Sequence, residues 1–224
     1  MQGVTIHPRA VVDASDREGA WSTYEAAFTP LRSVAMQRHL MTRTEFEQVL
    51  DDRRVTKYLA ADAEGHVVGL GTMTNQIESM PLVEPHFFAT RWPEHWAAGR
   101  CYYIGFVASH PDRQGTELFT ELIQLMSYTA SLTGGVAVLD VCQHHLDRYS
   151  LPQSIGRITA AVVPQVQVHQ VDAQTYWAYE SPVPTTRPDD VIDLRDGAIR
   201  LPPSALAGAR SRSSNATGRP NNQP

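Results

Sequence analysis

Two side chains that can transfer protons, His145 and Tyr149, stand four residues apart in the segment LDVCQHHLDRYSLPQSIGR (139–157). That spacing is one turn of a helix, so both side chains can lie on the same helical face. An imidazole titrates near neutral pH and suits a general base, whereas a phenol can protonate a leaving group. His144 offers a second imidazole. The alternative interpretation is a pair of partly exposed histidines and a packed tyrosine with structural roles only.

Metal binding is a second chemistry to consider for this segment, because it contains the potential ligands Cys142, His144 and His145. Adjacent histidines project in different directions and no fourth ligand follows at a suitable spacing, so no metal is expected. Asp140 stands in an apolar run and is either a buried, paired carboxylate or a site residue. Cys101 and Cys142 lack a CxxC or metal spacing. This favours buried free thiols in a reducing cytoplasm.

The bend SHPDRQGTELF (109–119) joins an apolar run to a periodic helix and is a second candidate site. A helix N-terminus leaves backbone N–H groups unpaired, so the amides of residues 114–119 could bind a phosphate if the helix begins near Gly115. Gly115 lets an anion approach the backbone, and Arg113 adds positive charge. An ordinary strand-to-helix turn is the alternative, because both the P-loop motif and GxGxxG are missing.

The elements that must position these residues alternate between strands and helices. This favours an α/β protein (an α+β mixed sheet) with a central twisted sheet flanked by helices. The predicted elements are a strand (3–12), helices (15–28, 30–40 and 42–52), a hairpin (57–74), a strand (100–109), a helix ending at Gly134, a strand (136–142), a short helix (146–160) and two strands (165–180). The strands 100–109 and 136–142 flank one helix, which predicts a parallel pair with a right-handed crossover.

Several local signals accompany this plan. Ser15 with Glu18, and Thr42 with Glu45, match the capping box at a helix start. Residues 75–99 are aromatic-rich and predicted to be irregular. They either wall a substrate pocket or fill the core beneath a long loop.

Composition narrows the classes of protein. A net charge of −5 argues against nucleic-acid or anionic-membrane binding. The N-terminus lacks the basic and apolar regions of a signal peptide, and no apolar run approaches the ~18 residues of a membrane span. We therefore expect a cytoplasmic protein with no membrane span. Residues 1–181 form the predicted domain, and the Pro-, Arg- and Ser-rich residues 182–224 are predicted to be an extended to disordered tail.

The order strand, bend, helix and strand over 100–142 resembles the acyl-CoA-binding core of the GNAT superfamily of N-acyltransferases. The bend matches the family pattern P-x-x-Q/R-G-x-G at Pro111, Gln114 and Gly115, and departs from it at Glu117, where a small residue is usual. More loosely, residues 74–92 and the H-x-x-x-Y…G order resemble the branch of N-acyl amino acid synthases and acyl-homoserine-lactone synthases.

This resemblance implies the transfer of an acetyl or longer acyl group from acyl-CoA, or from an acyl carrier protein, to an amine of a small molecule or amino acid. Tyr149 would be the acid on the sulfur, and His145, His144 and Glu78 compete as the base. A homodimer is one option for the assembly, and no metal is implied. The implied cofactor-binding residues are Phe106, Val107, Ala108, Arg113, Gln114, Gly115, Thr116, Glu117 and Leu118.

Two other classes stay open. A degenerate GNAT-like module could bind a ligand or partner without catalysis, because Glu117 and Phe119 stand where the family has small residues. A nucleotide-binding α/β protein of another class is the third interpretation, and the incomplete glycine motif argues against it. A response to ATP without a response to CoA would favour that third class.

Overall fold

The computed structural model describes residues 3–113 and 117–180. Its five strands are β1 (Thr5–Arg9), β2 (Thr56–Ala61), β3 (Val67–Thr74), β4 (Cys101–Ser109) and β5 (Val136–Val138). They form one sheet in sequence order, antiparallel throughout except for the parallel pair β4 and β5. The mixed sheet, its hairpin and the parallel pair are therefore confirmed.

Helices cover both faces of this sheet. They are α1 (Ala14–Phe28), α2 (Arg43–Asp51), α3 (Pro85–Arg91), α4 (Pro93–Ala97), α5 (Leu118–Ser131), α6 (Gln143–Tyr149) and α7 (Leu151–Ala160). Side chains alternate across a strand, so Leu59 packs with α1 and α2 on one face, and its neighbours Tyr58 and Ala60 pack with α5 on the other. The predicted layers of sheet and helices follow from this alternation.

A bulge interrupts β4 at Gly105. Thr72 pairs with Phe106 and Met73 pairs with Ile104, so Gly105 has no opposite residue in β3. The extra residue shifts the alternation: Ile104 packs on the α5 face, whereas Phe106 packs on the α1 face. A Cβ at Gly105 would lie 2.9 Å from Thr72 Oγ1, so glycine fits this position. Because a bulge bends and twists its strand, β4 changes course two residues after Tyr103, where its pairing with β5 ends.

The aromatic segment 75–99, predicted to be irregular, is largely helical, and that prediction is wrong. Pro85 and Pro93 each begin a helix, where the fixed φ of proline is favourable. The Glu84 carboxylate accepts the N–H of His86 and caps α3. The aromatic side chains of this segment fill a third core cluster. This cluster contains Phe88, Trp92, Trp96, Ile77 and Cys101. Of the two interpretations of residues 75–99, a pocket wall or core filling, the structure shows core filling.

Only one of the two predicted capping boxes forms. Thr42 Oγ1 accepts the N–H of Glu45 and the Glu45 carboxylate accepts the N–H of Thr42, at 3.3 and 2.7 Å. The predicted capping box of Ser15 and Glu18 does not form at the start of α1, so that prediction is wrong. The Ser15 hydroxyl donates to the neighbouring Asp16 carboxylate, and Glu18 pairs with Arg43 of α2 instead.

Other predicted elements are shorter, divided or missing in the described residues. The helix over 30–40 is reduced to one 3-10 turn, Thr29–Ser33, and the helix over 146–160 is divided at Ser150, where φ is 45°. No strand forms over 165–180, so that prediction is wrong. Valine and polar residues alternate there, but Val168 remains 57% exposed and no neighbouring strand supplies the ladder that the alternation needs.

The chain divides into two compact units, residues 1–174 and 175–224. The second unit is described only at 175–180, and the tail predicted at 182–224 lies outside the described residues. In the ranges 3–113 and 117–180, no helix is both long and apolar enough to cross a membrane.

Lys57, the single lysine of the chain, is fully buried in β2. Its Nζ donates to the backbone oxygens of Ala10 and Asp52, at 2.9 and 2.6 Å. A neutral amine has two N–H donors, and these two carbonyls satisfy both of them. Burial lowers the pKa of Lys57 to about 8. The side chain thus ties the residue after β1 and the end of α2 to the sheet.

We predict that Lys57 makes the protein more stable as pH rises above 8. The folded pKa lies below the ordinary value of 10.5, so the unfolded chain binds more protons between these values. The free energy of unfolding should then rise by up to about 1.4 kcal/mol per pH unit. Urea unfolding of wild type and Lys57→Met at pH 7.5 and 9 measures the difference. Other titrating groups cancel in this comparison, and equal pH slopes for the two proteins would contradict the prediction.

Candidate functional site

A gap opens in the sheet because β4 and β5 pair only briefly. Their register joins Cys101 to Val136 and Tyr103 to Val138, where β5 ends. β4 continues to Ser109 and pairs with β3 on its other side. Beyond Tyr103, the β5-facing edge of β4 has no strand partner among the described residues.

The backbone polarity of this edge follows from one hydrogen bond. His110 N–H donates to Val68 O at 2.9 Å, so residues of the same parity in β4, Ala108 and Phe106, direct their backbone groups to β3. Val107 and Ser109 direct their N–H and C=O groups into the gap. Of the predicted contacts Phe106, Val107 and Ala108, Val107 therefore presents hydrogen-bonding groups there, and the other two contribute buried side chains to the α1 face.

The turn after β4 contains the predicted anion site. Gln114, Gly115 and Thr116 lie outside the described residues, and α5 begins at Leu118, later than expected. Glu117 is exposed and precedes the helix without a side-chain capping bond, whereas Leu118 is buried in the α5 core.

Arg113 is anchored beside this turn. Its Nη2 donates to Asp62 Oδ2 at 3.2 Å, which joins the turn to the β2–β3 hairpin. The backbone N–H of His66 is the main cause that lowers the pKa of Asp62, and the charge of Arg113 adds to it. A cleft of about 440 Å³ lies here, lined by Arg113, His66 and His110 together with residues of α1. This corner of the molecule can therefore receive a polar ligand group.

α6 brings His144, His145 and Tyr149 together. The ring centroids of His145 and Tyr149 are 5.7 Å apart, and those of His144 and Tyr149 are 6.2 Å apart. Arg148 Nε donates to the Tyr149 hydroxyl oxygen at 3.1 Å. The Tyr149 side chain is 54% exposed. In the described part of the chain, no group accepts its phenol proton. The predicted one-turn relation of His145 and Tyr149 is thus present.

His145 is suited to accept a proton. Burial lowers its pKa, and the charges of His144 and His39 lower the pKa further. The imidazole is therefore neutral at neutral pH and offers a lone pair. His39 belongs to the α1–α2 loop (34–42). Sequence reasoning did not single it out, since no spacing relates it to α6.

Asp140 is exposed and paired, not buried. The Tyr103 hydroxyl donates to Asp140 Oδ1 at 2.6 Å, at the point where β4 and β5 separate. Burial raises the pKa of Tyr103, and the charge and hydrogen bond of Asp140 raise it further. The pair fixes the segment that leads from β5 to α6.

We predict that Tyr103→Phe loosens this segment. Loss of a hydrogen bond to an exposed carboxylate should cost about 1 kcal/mol of unfolding free energy. Amide exchange over 139–142 should accelerate, as measured by hydrogen–deuterium exchange. Tyr102→Phe is the matched control, because the Tyr102 hydroxyl bonds to Thr133 Oγ1 instead. Equal exchange over 139–142 in both variants would refute the role of the pair.

Glu78, the third base candidate, lies in a different environment. It lines a depression of about 240 Å³ with Asn75, Gln76 and Trp96. No hydrogen bond or ion pair in residues 3–113 and 117–180 joins Glu78 to His145 or Tyr149. The 5.7 Å distance between the ring centroids of His145 and Tyr149 therefore favours His145 over Glu78 as the partner of Tyr149.

Metal ligation has no structural support in the described ranges. They contain no group of three or more His, Cys, Asp or Glu side chains that could hold an ion. Cys101 is a buried free thiol, whereas Cys142 is a partly buried one.

Comparison with solved structures finds acetyltransferases. A ribosomal-protein-alanine N-acetyltransferase from Brucella melitensis biovar Abortus 2308 is 17% identical, covering 80% of this chain and 100% of its own, with a TM-score of 0.44. An aminoglycoside acetyltransferase from an uncultured soil metagenomic sample is 14% identical, covering 79% and 97%, with a TM-score of 0.47. An aminoglycoside N-acetyltransferase in complex with CoA is 7% identical, covering 80% and 96%, with a TM-score of 0.48.

No family model and no curated protein sequence matches this chain. At these identities the similarity concerns the course of the backbone. The function is therefore inferred from the residues of the site.

Proposed function

We propose that the protein is a GNAT-type N-acyltransferase that transfers an acetyl or longer acyl group from acyl-CoA to an amine of a small molecule or amino acid. The observation that carries this proposal is the gap between β4 and β5, with the backbone edge of Val107 facing it. His145 and Tyr149 follow β5 on α6. The sequence resemblance over residues 100–142 supports the same activity.

The gap suits an extended ligand with amide groups. A free strand edge binds such a ligand as a further strand would, through its N–H and C=O groups. The pantetheine part of acyl-CoA has this chemistry, so Val107 and Ser109 are the residues that would hold it. The phosphates would lie toward the turn at 111–117, where Arg113 is held by Asp62.

Acyl-CoA supplies the thioester, and the side chains on α6 accept and donate the protons of the reaction. A backbone N–H at the gap edge polarises the thioester carbonyl in the manner of an oxyanion hole. His145, neutral because of burial and neighbouring imidazoles, is suited to accept a proton from the acceptor. Tyr149 has a phenol proton available for the leaving sulfur, while Arg148 donates to its oxygen. Alignment of amine and thioester would contribute much of the rate.

Further parts of the proposal concern the donor and the assembly. A long acyl chain and the N-acyl amino acid or acyl-homoserine-lactone synthase branch remain proposals, as do an acyl carrier protein donor, a homodimer and a cytoplasmic location.

Calorimetry with acetyl-CoA and decanoyl-CoA separates short from long chains. Binding of neither thioester, and no binding of an acylated carrier protein, would contradict the activity itself. Native mass spectrometry of the purified protein would show whether it carries CoA.

A non-catalytic acyl-CoA-binding module is the second candidate. The observation that favours it is Glu117, an exposed carboxylate at the start of α5, where negative charge opposes phosphate binding. Thermal stabilisation by acyl-CoA without release of CoA, across a panel of amines, would favour this candidate over the enzyme.

A further inference from the structure

The Tyr103–Asp140 hydrogen bond lies at the closed end of the gap between β4 and β5. Tyr103 and Val138 form the last backbone pair of these strands, and Asp140 follows two residues after Val138. The Tyr103 hydroxyl donates to Asp140 Oδ1 at 2.6 Å, so a side-chain hydrogen bond joins the two segments just beyond that pair. Burial raises the pKa of Tyr103, so the phenol keeps the proton that it donates. The two segments are therefore held together where the gap begins.

Side chains bound this end of the gap on both faces of the sheet. Tyr103 and Val138 pack with the third core cluster on one face, and the hydrogen bond to Asp140 belongs to the same face. Leu139 packs on the opposite face, with the α5-side cluster that contains Ile104. The alternation of Val138, Leu139 and Asp140 is that of an extended chain. The end of the gap is therefore bounded in the plane by a backbone pair, on one face by the Tyr103–Asp140 bond and on the other by Leu139.

The proposed orientation of acyl-CoA directs the acyl group toward this end. With the phosphates at the turn after β4 and the pantetheine beside Ser109 and Val107, the thioester lies between Val107 and Tyr103. Four residues of β4 cover that interval and the bulge shortens it, so it spans at most about 13 Å. The extended ten-carbon chain of decanoyl-CoA alone takes up about this whole length. The sulfur and the two carbons that precede it need part of the same interval, so only a short acyl group fits.

We propose that Tyr103 and Asp140 limit the length of the acyl group that the protein transfers, so that its donors carry short acyl groups such as acetyl and butanoyl. The inference rests on the proposed N-acyltransferase function and commits its donor to short chains. An apolar chain that passed Asp140 would displace water from the carboxylate without offering a hydrogen bond in return. Decanoyl-CoA still binds through its pantetheine and phosphates, with the chain outside the gap, but its thioester is then not aligned for transfer.

Binding measurements test the chain-length limit without an acceptor amine. Calorimetry compares CoA with decanoyl-CoA on wild type, on Asp140→Ala and on Tyr102→Phe. Asp140 is exposed, so its substitution should leave the fold intact. Tyr102→Phe is the matched control, because the Tyr102 hydroxyl bonds to Thr133 Oγ1 and its ring packs on the α5 face.

The affinities should differ only where the end of the gap is opened. Wild type and Tyr102→Phe should bind decanoyl-CoA within about twofold of CoA, because the chain buries no apolar surface. Asp140→Ala should bind decanoyl-CoA about tenfold tighter than CoA, because the chain then passes position 140 and reaches the partly buried side chains of the third core cluster. Tighter binding of decanoyl-CoA than of CoA by wild type, or no gain in the folded Asp140→Ala, would overturn the proposal.

Transfer rates provide the second test. Release of CoA thiol is measured with acetyl-CoA and decanoyl-CoA across a panel of primary amines. We expect kcat/KM of wild type for acetyl-CoA to exceed that for decanoyl-CoA by about 100-fold. Asp140→Ala and Tyr103→Phe should each reduce this ratio to about tenfold or less, whereas Tyr102→Phe should keep it. A general loosening of the fold lowers both rates and leaves the ratio unchanged, so the ratio reports on chain length.

These outcomes distinguish the chain-length limit from the proposed function. A wild type that transfers decanoyl groups as efficiently as acetyl groups overturns the limit and leaves the N-acyltransferase function in place. An unchanged ratio in both Asp140→Ala and Tyr103→Phe overturns the role of this pair. A wild type that binds CoA thioesters and releases no CoA overturns the transfer reaction, and the comparison of CoA with decanoyl-CoA then still decides whether the end of the gap excludes a long chain.

Discussion

Tyr149→Phe should lower kcat by about 100-fold and leave the affinity for acyl-CoA unchanged. The Tyr149 proton has no acceptor among the described residues, so it is available for a leaving sulfur. Phenylalanine keeps the ring contacts with His144 and His145 and removes only the hydroxyl. Because the ring is about half exposed, the fold should lose little stability. Steady-state release of CoA thiol measures kcat, and calorimetry measures affinity.

The matched control is Tyr128→Phe, an exposed tyrosine on α5 away from the α6 cluster. It should retain the wild-type kcat. If Tyr149→Phe also retains it, water or another group protonates the sulfur, and Tyr149 has only a packing role. If both variants lose activity equally, the loss does not report on proton transfer.

Local sequence signals predicted the elements that depend on short-range physics. The hairpin at 57–74 was recognisable because Gly65 stands in the turn between two β-prone runs. In the structure, Gly65 takes a positive φ of 85°. The parallel pair followed from a helix placed between two apolar runs. The one-turn spacing of His145 and Tyr149 correctly predicted that their rings meet on one helix.

Features that depend on tertiary contacts could not be predicted from local sequence signals. Gly105 in β4 could be read as an ordinary strand glycine, because a bulge is defined by pairing with β3. The segment 165–180 has the alternation of a strand, but alternation cannot supply the partner strand that a ladder requires. His39 has no local signature, since its position follows from the hydrogen bonds of Tyr24.

The bulge links these observations to the proposed function. If β4 continued beside β5, the N–H and C=O of Val107 would be paired within the sheet and unavailable to a ligand. The pairing with β5 ends at Tyr103, and beyond the extra residue at Gly105 the same groups have no strand partner on that side among the described residues. The Asp140–Tyr103 hydrogen bond lies where the strands part and fixes the approach to α6.

Val107→Pro tests that link and should weaken acyl-CoA binding by about 100-fold, or ~3 kcal/mol. Proline has no N–H, and its ring would occupy the space into which the Val107 N–H points. The fold should survive, because proline is tolerated where the missing N–H faces away from the ladder. Calorimetry with decanoyl-CoA and circular dichroism measure the two effects.

Two neighbouring substitutions make this prediction specific to the gap-facing edge. Val107→Thr keeps the backbone N–H and the side-chain shape, so acyl-CoA affinity should stay near that of wild type. Ala108→Pro removes an N–H that belongs to the β3 ladder, and should cost about 3 kcal/mol or more of unfolding free energy. A folded Val107→Pro that binds decanoyl-CoA as tightly as wild type would show that the ligand does not use this edge. In that case the gap between β4 and β5 would no longer support an acyl-CoA site.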